Sequence, residues 1–148
     1  MSIRLLDYRA IQVIFRPNSN LIDYLNEIQD RTIDLPAIAY HAIFPEGQNS
    51  EFLIHFDFDL NIKDEMSKDS EDLGILKFDF IARFASDVEI TQQFKESHFP
   101  SVNAPAIAYP FLRAFVNNFF INSGYNPVLL PTYNFTKSVQ ERDQTNSD

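Results

Sequence analysis

Residues 51–62, EFLIHFDFDLNI, alternate without a break: Phe52, Ile54, Phe56, Phe58, Leu60 and Ile62 take one face, and Glu51, Leu53, His55, Asp57, Asp59 and Asn61 take the other. A period of two over so many positions is a β-strand with one buried face. Residues 74–86, GILKFDFIARFAS, alternate in the same way, placing Leu76, Phe78, Phe80, Ala82 and Phe84 together. The polar, acidic stretch 63–73 lies between them. The two runs predict a long antiparallel hairpin with one face against a core.

Working outward, residues 35–44 (LPAIAYHAIF) form another strand candidate, closed by the turn residues Pro45-Glu46-Gly47-Gln48-Asn49. Residues 20–30 put Leu21, Tyr24, Leu25 and Ile28 at helical spacing, with Ser19 or Asn20 as N-cap. Residues 5–16 are rich in β-branched and aromatic side chains and end at Pro17-Asn18, which predicts the first strand. Downstream, Asp87–Phe99 reads as a short helix with Ile90, Phe94 and Phe99 inward, followed by a break from Pro100 to Pro105. Residues 106–123 form a helix with little charge. Phe111, Phe115 and Phe119 fall at i, i+4 and i+8, beside a stripe of Leu112, Val116 and Phe120, and Gly124 stops it. Pro110 is either its first turn or a kink. Its apolar circumference predicts burial on more than one side. Tyr125–Phe135 is an apolar loop punctuated by Pro127 and Pro131, and residues 138–148 read as a polar, disordered tail. Strands first and helices after predict one α+β domain over 1–137: a four-stranded antiparallel sheet with helices packed on one face.

Composition narrows the function. Twenty-one acids against twelve Lys and Arg give a net charge of -9. That argues against nucleic acid and anionic lipid as partners, because both need surplus cations. Three glycines leave no phosphate-binding loop, and the absence of cysteine leaves no disulfide or thiolate metal site. Asp57-x-Asp59-x-Asn61 opens like a calcium loop but has Ile62 and Lys68 where Gly and Glu are needed. His41, His55 and His98 are scattered, without ligand spacing. No nucleophile–base set stands out, so the expectation is a protein without cofactor and not an enzyme. The N-terminus has no signal-peptide core, and the most apolar stretch, 111–121, is broken by Arg113, Asn117 and Asn118, so a cytoplasmic protein without membrane insertion is expected. Fifteen phenylalanines and a loop offering Tyr125, Val128, Leu129, Leu130, Tyr133 and Phe135 point to an apolar interaction surface.

One segment adds a family resemblance. Pro110-Phe111-Leu112-Arg113, then Gly124-Tyr125-Asn126-Pro127, then Val128-Leu129-Leu130-Pro131 and a closing Asn134-Phe135 resemble, in order and spacing, the signature of the SecB-like export chaperones. The match is specific over these 26 positions and extends upstream only as a four-strand pattern. The resemblance implies a holdase that binds unfolded or precursor polypeptide in apolar grooves without a cofactor. It implies a homotetramer built as a dimer of dimers, with Leu112, Val116, Phe119 and Phe120 at the oligomer interface. It places polypeptide binding along the loop, the adjoining helix face and the second strand: Tyr40, Phe44, Phe111, Phe115, Tyr125, Val128, Leu129, Leu130, Tyr133 and Phe135. Export members dock the SecA motor through acids on the first and fourth strands. Those positions fall near Ala10 and Ile81, with Asp7 and Asp79 close by. The 20–30 insertion and the polar C-terminus also depart from the pattern. These departures favour a chaperone dedicated to one client, such as an antitoxin, over SecA delivery. A small-ligand-binding protein or enzyme of the same fold is the reading from another class.

Overall fold

The computed structural model describes residues 1–28, 33, 38–64, 67 and 69–147. Four strands, β1 (Ile3–Pro17), β2 (Ala39–Ile43), β3 (Glu51–Asp64) and β4 (Glu71–Ser86), form one antiparallel sheet in the order β1-β4-β3-β2. Both hairpin strands follow their alternation, and each runs beyond the span expected for it, into the acidic stretch 63–73. The buried residues meet directly across the ladder: Phe52 opposite Phe84, Ile54 opposite Ala82, Phe56 opposite Phe80, Phe58 opposite Phe78, and Leu60 opposite Leu76. Cross-strand pairs on a buried face are the unit of sheet stabilisation. The sheet order puts β1 and β2 on opposite edges, and the 20–30 segment belongs to the connection between them. Its helix α1 (Leu21–Glu27) buries Leu21 and Leu25 completely. The candidate helix residues 29–30 and strand residues 35–37 lie outside the described residues.

β1 carries two register shifts, one between Leu5 and Asp7 and one between Ala10 and Gln12. Bulges of this kind bend an edge strand and disrupt its free edge. Gly74 sits opposite Pro17 at φ +153°, where an added Cβ would come within 3.0 Å of the Arg16 carbonyl oxygen and of the Pro17 Cα. That close approach of β1 and β4 needs glycine.

After the sheet comes a helix, α2 (Gln92–Lys95), capped by the Thr91 hydroxyl accepting from the Phe94 N–H. A π-helical turn over Phe99–Asn103 then leads straight into α3 (Ala104–Asn122). The break expected from Pro100 to Pro105 is thus a wound turn, with both prolines at helix starts, where a missing N–H costs nothing. Pro110 lies inside α3. Ala104, Ala108, Leu112, Val116 and Phe120 form one fully buried stripe against the sheet.

The C-terminus departs from expectation. Residues Phe135–Ser147 form helix α4 where the polar composition predicted a disordered tail. The overlooked signal is Asn134, whose side-chain oxygen accepts from the Lys137 N–H as an N-cap. Phe135, only 3% exposed, anchors α4 to the core.

Candidate polypeptide-binding site

The Tyr125–Phe135 loop crosses the helix side of the sheet. Pro127 and Pro131 keep it from winding into a helix. Tethers hold it from both flanks. On the α3 flank, the Arg113 Nε donates to the Leu130 carbonyl at 3.0 Å and the Tyr109 hydroxyl donates to the Pro131 carbonyl. The Arg113 guanidinium also stands 5.9 Å from the centre of the Tyr109 ring. On the opposite flank lies the β1–β2 connection. Asn126 Nδ2 donates to the Leu25 carbonyl at 3.3 Å and to Asn26 Oδ1 at 2.7 Å, and the Ile33 N–H donates to the Leu129 carbonyl at 2.9 Å. Such bonds contribute about 1 kcal/mol each to stability, so the loop is fixed in place.

The loop's side chains divide sharply. Val128, Leu130 and Phe135 belong to the core, at 0, 1 and 3% exposure, while Leu129 between the first two is 45% exposed and Tyr133 is half-buried. Tyr40 is buried as well; its hydroxyl donates to the Ser101 carbonyl at 2.8 Å, and the Arg142 guanidinium of α4 covers its ring at 4.2 Å. Phe135 packs on Tyr40, Tyr109 and Tyr133 with ring centres 5.2, 5.7 and 4.7 Å apart. Beside this aromatic wall lies an open cleft of about 430 Å3, lined by Val102 of the π-helical turn, Ala106 in the first turn of α3 and Thr132 to Thr136. Val102 and Ala106 were not among the expected site residues; neither carries a sequence signal for a cleft.

The remaining candidates lie elsewhere. Phe44 stacks on Phe52 at 5.6 Å beneath the Lys95 ammonium. Phe111 stacks on Tyr8 at 4.7 Å, Phe115 packs on Phe78 at 4.9 Å, and Tyr125 packs on Phe15 at 5.7 Å, all on the β1–β4 side. The expected residues therefore do not form one groove.

Of the residues expected at the oligomer interface, Leu112, Val116 and Phe120 have no exposure within a single chain, where the stripe they form covers the sheet, and Phe119 is half-buried. In one chain, Ile107, Phe111 and Ile121 of α3 remain exposed, as do Tyr8, Ile11 and Val13 of β1.

Asp7 and Asp79 both lie on the outer face of the sheet, away from the helices, and both are engaged. Asp7 accepts two bonds from Arg83, at 2.8 and 3.2 Å, and Asp79 Oδ1 is 2.9 Å from His55 Nε2. The Arg83 hydrogen bonds, helped by the charges of Arg83 and Arg9, hold the Asp7 carboxyl below its usual value. Ala10 pairs with Phe80 on the inner face, whereas Ile81 points outward between Arg9 and His55, so the two positions where acids are expected do not share a surface. Among the described residues, no group of three His, Cys, Asp or Glu is placed to hold a metal, and no helix is long and apolar enough to cross a membrane.

Burial pushes the Tyr109 hydroxyl up to about 12. A phenol that ionises near 10 when unfolded and near 12 when folded contributes stability that is complete below pH 10 and lost as pH rises through 12. The expected result is alkaline destabilisation of about 2–3 kcal/mol between pH 10 and 12 that Tyr109→Phe abolishes, read by urea unfolding at stepped pH. An alkaline limb unchanged by the substitution would show that Tyr109 is not the group responsible.

No protein-family model matches the chain, and no curated protein matches it. Solved structures do. A SecB-like chaperone of Mycobacterium tuberculosis, in complex with a ChAD peptide from an antitoxin, superposes with TM-score 0.58 at 14% identity, covering 88% of this chain and 90% of that one. A Streptococcus agalactiae protein of unknown function superposes with TM-score 0.53 at 10% identity, covering 89% of this chain and 98% of that one. The sheet order, the helix layer and these superpositions together give the chain the SecB-like chaperone fold.

Proposed function

We propose that the chain is a holdase: it binds unfolded polypeptide on the helix side of its sheet, beside the Tyr125–Phe135 loop, and performs no chemistry. The observation that carries this reading is the loop itself. It is apolar, fixed by hydrogen bonds from both flanks, and bordered by an open cleft with Leu129 and Tyr133 at its surface. A fixed apolar surface rewards apolar side chains without demanding a sequence and loses little entropy on binding. The SecB-like fold, found also in a chaperone solved with a peptide bound, supports it. We further propose a cytoplasmic homo-oligomer, a dimer or a tetramer as a dimer of dimers, whose contacts use the exposed apolar residues Tyr8, Ile11, Val13 and Phe111.

A client-dedicated chaperone, serving for example an antitoxin, is favoured over delivery to SecA. Asp7 and Asp79 are already satisfied by Arg83 and His55, so docking a motor on them would mean breaking those pairs. The test is suppression of aggregation: a chemically unfolded client diluted into buffer without nucleotide, followed by light scattering. Protection that saturates near one client per oligomer is expected; scattering equal to that with an inert protein at the same mass would sink the reading.

A further inference from the structure

The outer face of the sheet carries a histidine pair that lies apart in the sequence. Strand register sets His41 of β2 directly opposite His55 of β3, with ring centres 4.9 Å apart and ring planes at 80°. The Asp79 carboxylate, from β4 on the other side of β3, stands 2.9 Å from His55 Nε2. We propose that His41 and His55 together bind one late first-row divalent ion, of the zinc, nickel and copper class, with Asp79 as the positioning residue that orients His55. The site is independent of the holdase reading.

The chemistry of the three side chains carries this assignment. A neutral imidazole has one N–H and one lone pair, and the bond to Asp79 puts the proton on Nε2 and leaves the lone pair on Nδ1. A carboxylate behind a histidine is the usual support of a metal-binding ring: it fixes the ring and raises its basicity. Because β4 and β2 flank β3 on opposite sides, His41 stands across the His55 ring from Asp79. An ion about 2.0–2.1 Å from one nitrogen of each ring, at a tetrahedral angle, sets the ring centres about 5 Å apart. The observed 4.9 Å meets that requirement. His41 is exposed and the His55 side chain is 21% exposed, so an ion has access from solvent. Among the described residues no third His, Asp or Glu completes a ligand set, so water takes the remaining positions. Two imidazoles favour the late first-row ions, with copper the tightest, over magnesium and calcium, which need oxygen ligands. Asp57, exposed two residues along β3 on the same face, adds negative charge beside the pair, while Arg83 on the neighbouring row is already taken up by Asp7 and Glu51. An ion held here ties β2, an edge strand of only five residues, to the centre of the sheet.

The experiment titrates zinc chloride into the full, untagged chain by calorimetry, with thermal unfolding read alongside. One ion per chain is expected, with a Kd of about 1–100 µM, weaker than a four-ligand structural site. At about a hundredfold excess over Kd the Tm should rise by about 5 °C or more. His41→Gln and His55→Gln should each weaken binding at least about tenfold and cancel that rise. His98→Gln, at an exposed histidine outside the sheet, should change the affinity less than about twofold, and magnesium chloride should not bind. Asp79→Ala should weaken zinc binding about tenfold, and Asp79→Asn, which still accepts from Nε2, should recover most of it. His41 is exposed on the edge strand, so His41→Gln keeps the metal-free Tm and decides the matter if His55→Gln fails to fold. Equal zinc affinity in wild type and His41→Gln would make the binding adventitious and overturn the site. Half an ion per chain, with a zinc-dependent doubling of mass in light scattering, would overturn it too, by placing the ion between chains.

Discussion

Leu130→Ala should cost about 2–5 kcal/mol in stability, whereas Leu129→Ser, one residue earlier, should cost less than about 0.5 kcal/mol. Leu130 is 1% exposed, packed in the core, and its carbonyl accepts from Arg113. Removing its side chain loses transfer free energy and leaves a cavity that the tethered loop cannot collapse to fill. Leu129 is 45% exposed, and its carbonyl accepts from the Ile33 N–H. On the holdase reading its exposed side chain meets the client. Leu129→Ser should therefore keep the wild-type Tm while lowering client protection, and Leu130→Ala should lose protection only as it unfolds. Urea denaturation and aggregation assays on both variants check this together. Equal destabilisation by the two changes would mean that the loop does not sit as described.

The second large effect is expected at Phe52. Phe52→Ala should cost about 3–5 kcal/mol, a large share of the 5–15 kcal/mol that holds a domain of this size. The side chain has no exposure and is the hub of an aromatic cluster. It stacks on Phe84 at 5.2 Å across the hairpin, on Phe44 at 5.6 Å after β2, and meets Phe94 of α2 edge-on at 5.5 Å. Removing it unties three elements at once, with aromatic pairs adding to the area lost. Phe111→Ala, at a ring 37% exposed, should cost clearly less. Chemical unfolding of the two variants measures the difference. A Phe52→Ala cost below about 1 kcal/mol would contradict a core centred on the hairpin.

The hairpin was legible because a period of two leaves one reading: each Phe predicted inward on 51–62 and 74–86 is buried. The helix of 106–123 was legible in extent, but not in which face it gives to the sheet. Leu112 and Phe111 are equally apolar, and only the neighbouring sheet decides that the first is buried and the second exposed. The loop posed the same difficulty at finer scale, since nothing in Val128-Leu129-Leu130 marks the middle residue as the outward one. Helix α4 was hidden by its polarity; it depends on a capping Asn134 and one buried Phe135 rather than on an apolar stripe. The cleft joins residues 102 and 106 to residues 132–136, contacts made by tertiary packing that no local pattern encodes. The partners of Asp7 and Asp79, Arg83 and His55, come together only through the strand register, which no local pattern encodes.

Site-specific photocrosslinking tests the central claim, that unfolded polypeptide is held on the helix side beside the loop, most directly. A photoreactive residue is placed at Thr132, exposed beside the cleft, and in a separate protein at Asp57, exposed on the outer face of β3. After mixing with an unfolded client and illumination, crosslinks to the client are expected from position 132 and not from position 57. Crosslinks from position 57 alone, or equal yields from both, would contradict a client site on the helix side.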